Sequence, residues 1–471
     1  MWGAGMSDSN EYSLRAPFPH PANWKVRRLR DVCSKIGSGA TPTGGQANYL
    51  PSRENWALVR SQNVFDRRFD ETGLAFITDE QAATLGGVVL QSEDVLLNIT
   101  GDGVTFARSC QIPESALPAV VNQHVSIVRP KPDLLNPGFL LAYLTHPETK
   151  HYIEGFNAGG SRRAITKGHI EAFNIPLPPL QIQQDIAHIL GTLDDKIELN
   201  RRTNETLEAM ARAIFKSWFV DFDPVRAKAS GEPPESICRR LGLTPEILAL
   251  FPDALQDSEL GEIPTGWSAS SLGELTGYLN RGVSPKYLEQ GGVLVLNQKC
   301  VRNGKVNIAS ARRHDPLQRA ITGRELCVGD ILVNSTGVGT LGRVAQLLAL
   351  EEPAIVDSHV TVVRANTAVC SPSYLYMALA YRQSEIEALG EGSTGQTELS
   401  RARLAALKIL APPKGLMAYF ETRVKALRQA SSNNDGQNRR LVDLRDALLP
   451  KLLSGDMPIP AAESALQCEG A

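Results

Sequence analysis

Residues 119–130 read AVVNQHVSIVRP, and residues 354–365 read AIVDSHVTVVRA. Six of the twelve positions are identical, and the offset of 235 residues is half of a chain of 471 residues. Each stretch is rich in β-branched residues and carries one histidine at the same place, His124 or His359. The pattern predicts an apolar, strand-like run interrupted by one histidine in each copy, and the offset predicts an internally duplicated protein.

The duplication extends to both sides of this stretch. EDVLLNITGDGVTFAR (93–108) matches GDILVNSTGVGTLGR (329–343), and NPGFLLAYL (136–144) matches SPSYLYMAL (371–379). The first match keeps four pairs: Asn98/Asn334, Thr100/Thr336, Gly101/Gly337 and Gly103/Gly339. The second predicts a helix that opens with proline in each copy, since proline is tolerated at the first helical position. Each copy is therefore predicted to be a mixed α/β domain.

A different pattern follows each copy. Apolar residues recur at alternating spacings of four and three, a period of 3.5, which is typical of a coiled-coil seam. We expect the two helices to pair in antiparallel orientation through Leu193, Ile197, Asn200, Asn204, Leu207, Ile214, Leu427, Asn434, Asn438, Leu441 and Leu448. A two-fold relation would place Asn200 near Asn438 and Asn204 near Asn434, a polar pairing that penalises slipped registers. The alternative is that the second helix frays at Gly436.

These patterns give an α+β fold with two pseudo-repeated mixed α/β domains separated by a two-helix antiparallel coiled coil. The predicted segments are an N-terminal globular domain (1–180), a first long helix (181–221), a connector (222–266), a C-terminal globular domain (267–413), a second long helix (414–456) and a tail (457–471). The proline-rich connector is predicted to be irregular, with one short helix near 244–251.

Composition excludes several classes of protein. The seven scattered cysteines favour neither a zinc site nor a disulfide framework. No apolar run is long enough to span a membrane and no leader pattern is present, so we expect a cytoplasmic protein. The net charge of −2 does not by itself indicate nucleic-acid binding. The second copy does carry a basic run between Lys299 and Arg319, although such a run is equally consistent with ordinary solvated surface.

Catalytic motifs are weak. Pro132-Asp133 with Glu148 and Lys150 fits a loose nuclease pattern, but the acids need the ends of adjacent strands and the second copy has no counterpart. No phosphate-binding loop of a nucleotide motor is present, and no methyltransferase tetrapeptide. His124 and His359 are interpreted as hydrogen-bonded residues at a domain edge, or else as phosphate contacts. We therefore predict no catalytic residue and no metal ligand in this chain.

Several segments resemble one family. NRRTNETLEAMARAIFKSWFVDFDPVRAK (200–228), the preceding PLPPLQIQQDIAHILGTLDDKI (176–197), ELGEIPTGW (259–267) and LRDALLPKLLSGD (444–456) resemble the specificity subunit of type I restriction–modification enzymes. The resemblance implies two target-recognition domains that each read one half of a split DNA site. It also implies that the helices act as a spacer and dock two modification (methyltransferase) subunits, which carry S-adenosylmethionine and methylate adenine. Restriction subunits, which use ATP and Mg, would join them.

Base edges are read by polar and basic side chains on loops, and loops that differ between the copies are the best candidates because the half-sites should differ. The predicted DNA-binding residues of the first copy are Ser38, Thr41, Arg60, Gln62, Asn63, Arg67, Arg68, Ser161, Arg162 and Arg163. Those of the second copy are Ser284, Lys286, Asn297, Gln298, Lys299, Arg302, Gln396 and Thr397. Two alternatives stay open: a specificity subunit of a methylation-only complex, and a coiled-coil scaffold that does not bind DNA.

Overall fold

The computed structural model describes residues 15–157, 163–391 and 397–469. They form two compact units: unit 1 contains the described residues up to Asn200 and those from Gln437 onward, and unit 2 contains Arg201 to Gly436. The strands of unit 1 are β1 (Lys25–Arg28), β2 (Cys33–Ser38), β3 (Trp56–Val59), β4 (Val64–Phe65), β5 (Arg68–Phe69), β6 (Ala75–Ile77), β7 (Val95–Asn98), β8 (Thr100–Gly101), β9 (Ser109–Gln111), β10 (Ala119–Val121), β11 (Val125–Pro130), β12 (Arg163–Ala164) and β13 (Asn174–Leu177). Its shorter helices are α1 (Leu29–Val32), α2 (Asp79–Thr84), α3 (Pro137–Thr145), α4 (Pro147–Glu154) and α5 (Lys167–Glu171).

The first long helix, α6 (Leu180–Phe219), begins in unit 1 and ends in unit 2. Unit 2 continues with the helices α7 (Asp223–Ala229), α8 (Pro234–Leu241), α9 (Pro245–Leu248), α10 (Leu272–Leu275), α11 (Pro372–Tyr381), α12 (Gln383–Ala388) and α13 (Arg401–Ala406). Its strands are β14 (Leu255–Ser258), β15 (Gly261–Pro264), β16 (Ser268–Ser271), β17 (Thr276–Arg281), β18 (Tyr287–Leu288), β19 (Val293–Leu296), β20 (Val301–Arg302), β21 (Lys305–Val306), β22 (Arg312–His314), β23 (Ile331–Asn334), β24 (Val344–Gln346), β25 (Ala354–Val356), β26 (Val360–Ala365) and β27 (Lys408–Ala411). The second long helix, α14 (Lys414–Ser454), leads back into unit 1, where α15 (Ile459–Glu469) follows it.

Sheet topology repeats between the units. The antiparallel sheet β2-β11-β7-β9 of unit 1 has the same order of equivalent strands as β17-β26-β23-β24 of unit 2. A parallel pair accompanies each sheet, β10 with β3 and β25 with β19. The duplicated stretch of sequence forms β10 and β11 in unit 1, and β25 and β26 in unit 2. Their valines and isoleucines are buried on both faces, which explains the continuous apolar runs.

The helix that packs on each of these sheets starts as predicted. Asn136 Oδ1 accepts a hydrogen bond from Phe139 N (3.1 Å) at the start of α3, and proline follows at the first helical position. Ser371 Oγ accepts from Tyr374 N (3.3 Å) in the same way at the start of α11. These side-chain caps satisfy backbone N–H groups that the first helical turn leaves without a partner.

The long helices pair in antiparallel orientation within each unit. In unit 1, Asn200 Nδ2 donates to Asn438 Oδ1 (2.9 Å), while Asp194 meets Arg445. In unit 2, Asn434 Nδ2 donates to Asn204 Oδ1 (2.9 Å). These are the two asparagine pairs expected from the heptad alignment. The other seam positions are buried or partly buried: Leu193, Ile197, Leu207, Ile214, Leu427, Leu441 and Leu448.

The structure rules out the alternative left open for the second long helix and contradicts one expectation for the connector. Helix α14 does not fray, because it is continuous through Gly436. The cost of about 1 kcal/mol for a helical glycine is offset by the asparagine hydrogen bonds and by burial of Ser431 and Leu441. The connector is not irregular with one short helix, since it forms α7, α8, α9 and a β14–β15 hairpin. Its apolar side chains, such as Val225, Ile237 and Phe251, are buried in the unit 2 core.

The fold is therefore α+β, with two repeated mixed domains and an antiparallel pair of long helices. Among the described residues, none of the helices combines the length and the apolar character that crossing a membrane would require.

Candidate nucleic-acid interface

A buried asparagine in each unit holds the first predicted loop. Asn98, at the end of β7, donates from Nδ2 to the carbonyl of Ser61 (3.0 Å). Asn334, at the end of β23, donates from Nδ2 to the carbonyl of Gln298 (3.0 Å). Both asparagines are fully buried. The first loop is thereby fixed to the strand segment that continues into the duplicated Thr-Gly-x-Gly turn.

The second predicted loop meets the same segment. In unit 1, β12 pairs with β8, so that Arg163 lies opposite Gly101. In unit 2, Thr336 bridges to Glu398, and Leu399 N donates to the Ser335 carbonyl (2.8 Å). The described residues of both loops thus come close to the Thr-Gly turn in each unit. Of the second-loop predictions, Ser161, Arg162 and Gln396 lie outside the described residues.

A third loop reaches this place through a close backbone approach. Gly39 N donates to the Asn122 carbonyl, and Gly282 N donates to the Val360 carbonyl (both 3.1 Å). A Cβ at Gly39 would lie 1.8 Å from the Val121 carbonyl oxygen, and one at Gly282 would lie 2.0 Å from that of Val356. Only glycine fits at these positions. These two glycines lie in the loops that carry the predicted residues Ser38, Thr41, Ser284 and Lys286. All four of those residues are exposed.

A threonine–histidine pair lies at the centre of the convergence. Thr100 Oγ1 and His124 Nδ1 are 2.7 Å apart in unit 1, and Thr336 Oγ1 and His359 Nδ1 are 2.8 Å apart in unit 2. A side chain two residues before each histidine holds the backbone N–H of that histidine. Asn122 Oδ1 accepts from His124 N (3.0 Å), and Asp357 Oδ1 accepts from His359 N (2.9 Å). Burial raises the pKa of Asp357. The candidate interface of each unit is this pair together with the three loops around it.

Two predicted residues of the first loop have internal roles in unit 1. Asn63 is fully buried, accepts from Arg60 N (3.0 Å) and donates to the Asp70 carbonyl (2.9 Å). Arg67 has a side chain that is only 4% exposed. Side chains held inside the unit in this way cannot reach a base edge without breaking these bonds, so the structure favours a framework role for both instead of the predicted DNA contact.

Arg67 belongs to a buried ionic network. Its Nε lies 2.7 Å from Asp194 Oδ2 on α6, and its Nη1 donates to Thr145 Oγ1 (3.2 Å). Arg445 of α14 reaches the other oxygen of the same carboxylate at 3.0 Å. Burial lowers the pKa of Arg67, and the charge of Asp194 opposes that effect. One carboxylate therefore fastens the β4–β5 hairpin to both long helices within unit 1.

The remaining first-loop residues of unit 1 face solvent to different degrees. Gln62 is exposed and donates to the Gly73 carbonyl (3.2 Å), which also accepts from Arg60 Nη2 (2.7 Å). The guanidinium of Arg68 lies on the Phe65 ring, 4.4 Å from its centroid. Arg163, which belongs to the second loop, forms an ion pair with Glu154.

The first loop of unit 2 presents two exposed basic side chains. Asn297 is a cap, since Oδ1 accepts from Lys299 N (2.8 Å) and Nδ2 donates to the Ser310 carbonyl (3.0 Å). Lys299 and Arg302 are exposed, while Gln298 and Thr397 are partly buried. Arg302 ends the first strand of a hairpin whose turn is Asn303-Gly304, both with positive φ (52° and 71°). This is the turn type that asparagine and glycine favour.

Sequence reasoning left three features out of the site. His124 and His359 were interpreted as hydrogen-bonded edge residues or else as phosphate contacts and were left out of the predicted DNA-binding residues, although their equivalent positions in the duplicated stretch were a usable signal. Arg312, from the basic run, lies with its guanidinium 3.3 Å from the centroid of the exposed Tyr287 ring. Within the described parts of the chain, no group of three His, Cys, Asp or Glu side chains is placed to hold a metal ion. The interface therefore offers hydrogen bonding, stacking and positive charge.

Comparisons with known proteins agree on one family. The model of the type I restriction modification DNA specificity domain matches residues 21–209. The HindI specificity subunit of Haemophilus influenzae is 27% identical over 72% of this chain and 81% of its own length. The MjaIX specificity subunit of Methanocaldococcus jannaschii is 22% identical over 93% of this chain and 94% of its own length.

The fold also matches a solved structure. The type I restriction–modification S subunit from M. genitalium superposes with a TM-score of 0.55 at 15% identity, over 92% of this chain and 96% of that one. The duplicated domains, the paired long helices and the near full-length relatives all point the same way. Residues 21–209 therefore match the type I restriction modification DNA specificity domain, and over most of its length the chain is similar to specificity subunits of type I restriction enzymes.

Proposed function

We propose that this chain is a type I specificity subunit and that each of its units reads one half of a bipartite DNA site. The observation that carries the proposal is the convergence of three loops on a Thr–His pair, found with the same framework in both units. Loops held by a rigid scaffold are the usual carriers of binding residues. Two different half-sites require two units that share one fold but carry different loops.

The side chains that differ between the units are the proposed base-reading groups. Unit 1 offers Gln62, Arg68 and Arg163. Unit 2 offers Gln298, Lys299, Arg302 and Thr397. Arginine and lysine bind the acceptor edge of guanine in the major groove, and glutamine pairs with adenine. The unlike sets would therefore select unlike bases.

The helix pair has a separate proposed role, which is to set the number of unread base pairs and to dock two modification subunits. Exposed apolar side chains on the long helices support docking: Leu199 is 59% exposed, Met210 48% and Tyr419 44%. Exposed apolar surface often marks a site where another protein binds. S-adenosylmethionine, ATP and Mg would be bound by the modification and restriction partners, in the cytoplasm.

Methylation mapping tests the proposal. The host DNA, sequenced by a method that detects methyladenine in single molecules, should show a split motif with two unlike half-sites. A contiguous motif would contradict the assignment of one half-site to each unit.

Charge reversal then assigns the halves. Lys299→Glu with Arg302→Glu in the assembled complex should abolish discrimination at one half-site only, and Arg68→Glu with Arg163→Glu at the other. Arg239→Glu, on an exposed position of α8, is the matched control. DNA retention that is unchanged by all four interface substitutions would favour the scaffold alternative.

A further inference from the structure

The threonine–histidine pair is shared by both interfaces, and in unit 2 its imidazole is exposed. The buried asparagines Asn98 and Asn334 anchor loops, and the Asp94–Arg129 and Asp330–Arg364 ion pairs lie in the sheets, so their duplication has an internal reason. The imidazole of His359 is different, because the residue is exposed. Among the described residues, Thr336 is the hydrogen-bond partner of its Nδ1, and its Nε2 has none.

A group that is the same in both units cannot encode the difference between two half-sites. In protein–DNA complexes, about half or more of the hydrogen bonds go to phosphate and sugar, and these fix register without reading sequence. A duplicated Thr–His pair beside unlike loops, with an exposed imidazole in unit 2, fits that sequence-independent part of recognition.

The local geometry prepares His359 for this contact. Its backbone N–H is held by Asp357 Oδ1 (2.9 Å) and its ring Nδ1 by Thr336 Oγ1 (2.8 Å), so the main chain and the ring are each held by one hydrogen bond. When the threonine hydroxyl donates to Nδ1, the proton of the neutral ring resides on Nε2, which then acts as a donor. Arg343 lies on the same turn, with Nη2 donating to the Gly339 carbonyl (2.7 Å), and adds positive charge.

We propose that Nε2 of His359 donates a hydrogen bond to a phosphodiester oxygen of the DNA backbone bound by unit 2. The inference rests on the proposed DNA-reading function and assigns one contact within it. Because this hydrogen bond is made to the DNA backbone, it should add affinity for every DNA sequence and no discrimination between sequences.

Unit 1 is predicted to make the weaker version of this contact. Asp102 occupies the turn position equivalent to Val338, and its Oδ1 accepts from Val104 N (3.0 Å) and Thr105 N (2.8 Å). The hydrogen bond from the Thr105 backbone lowers the pKa of Asp102, which therefore stays anionic. A carboxylate beside the Thr100–His124 pair repels a phosphate, whereas Val338 does not.

Two substitutions separate a phosphate contact from a structural role. Asparagine at position 359 places its amide near the Nδ1 position and keeps a partner for Thr336, but it removes the distal donor. Glutamine places its amide nitrogen near the Nε2 position and keeps the distal donor. The assay is equilibrium binding of the assembled complex to a cognate duplex and to the same duplex with one scrambled half-site.

His359→Asn should weaken binding to both duplexes by about 10-fold, as expected for a lost hydrogen bond to a charged group, and leave their ratio unchanged. His359→Gln should stay within about 3-fold of wild type, and His124→Asn should have the smaller effect of the two asparagine variants. An unaffected His359→Asn complex overturns the inference, as does a changed ratio, which would mean base reading. If DNA binding is weakened by His359→Gln but not by His359→Asn, the histidine has a purely structural role. Failure of the wild-type complex to distinguish the two duplexes would instead refute the proposed function itself.

Discussion

Replacing Asp194 with asparagine should destabilise unit 1 far more than a surface charge change does. Asp194 is the common partner of Arg67 and Arg445, whose side chains are only 4% and 16% exposed. Without the carboxylate, two buried guanidinium groups face each other, with Thr145 and Asp446 as the remaining neighbours. Breaking a buried ion pair by removing one partner typically costs about 3–5 kcal/mol, because the other charge stays desolvated. We expect a loss of that size in the free energy of unfolding of unit 1.

Hydrogen exchange followed by mass spectrometry on the full chain gives the local free energies. Peptides that cover the β4–β5 hairpin and the C-terminal part of α14, after Gln437, should exchange faster, while unit 2 peptides keep their protection. Glu171→Gln is the matched control, since it breaks the exposed Lys167–Glu171 pair and should cost about 0.5 kcal/mol. Adding Arg67→Met to Asp194→Asn removes one of the two buried charges and should recover part of the loss. A cost for Asp194→Asn no larger than that of the control would refute the reasoning.

Two further predictions concern burial in unit 1. His146 is 4% exposed, and burial lowers its pKa from 6.5 to about 4. Between these values the unfolded chain binds a proton that the folded unit does not, so the free energy of unfolding should fall as pH drops from 6.5 to 4. His146→Gln should flatten that part of a urea-unfolding profile, and an unchanged slope would contradict the assignment. In the helix pair, Asn200→Leu alone leaves Asn438 short of a partner and should cost about 1–3 kcal/mol. The double variant with Asn438→Leu should recover most of it, whereas additive costs in a double-mutant cycle would rule out coupling.

The parts of the fold that sequence predicted well are those with local or periodic signals. The 3.5-residue seam fixed the alignment of Asn200 with Asn438, because a heptad register constrains many positions at once. The Asn-Pro and Ser-Pro openings located α3 and α11, since a cap and a proline act within one helical turn. The connector shows that a proline alone did not suffice to predict where a helix begins. Proline opens α7, α8 and α9 alike, but only the last was recognised.

The candidate site was only partly predictable, because its members are joined by long-range contacts. Nothing near Arg67 in the sequence reveals that its partner is Asp194, 127 residues away. Asn63 and Asn297 look like surface polar residues, yet both satisfy backbone groups of their own loops. The convergence itself depends on strand pairing between segments such as β8 and β12, which residue type alone does not specify.

The bond that anchors the first loop has a consequence for how such a protein changes over time. Asn98 and Asn334 hold main-chain carbonyls, and every amino acid supplies the same carbonyl whatever its side chain. Substitutions at Ser61 or Gln298 therefore leave the tether intact while altering what faces outward. Under the proposed function, a change of target motif would therefore require neither a new scaffold nor compensating changes in the sheet. The outward-facing loop residues of the two units could then change independently while the buried framework stays the same.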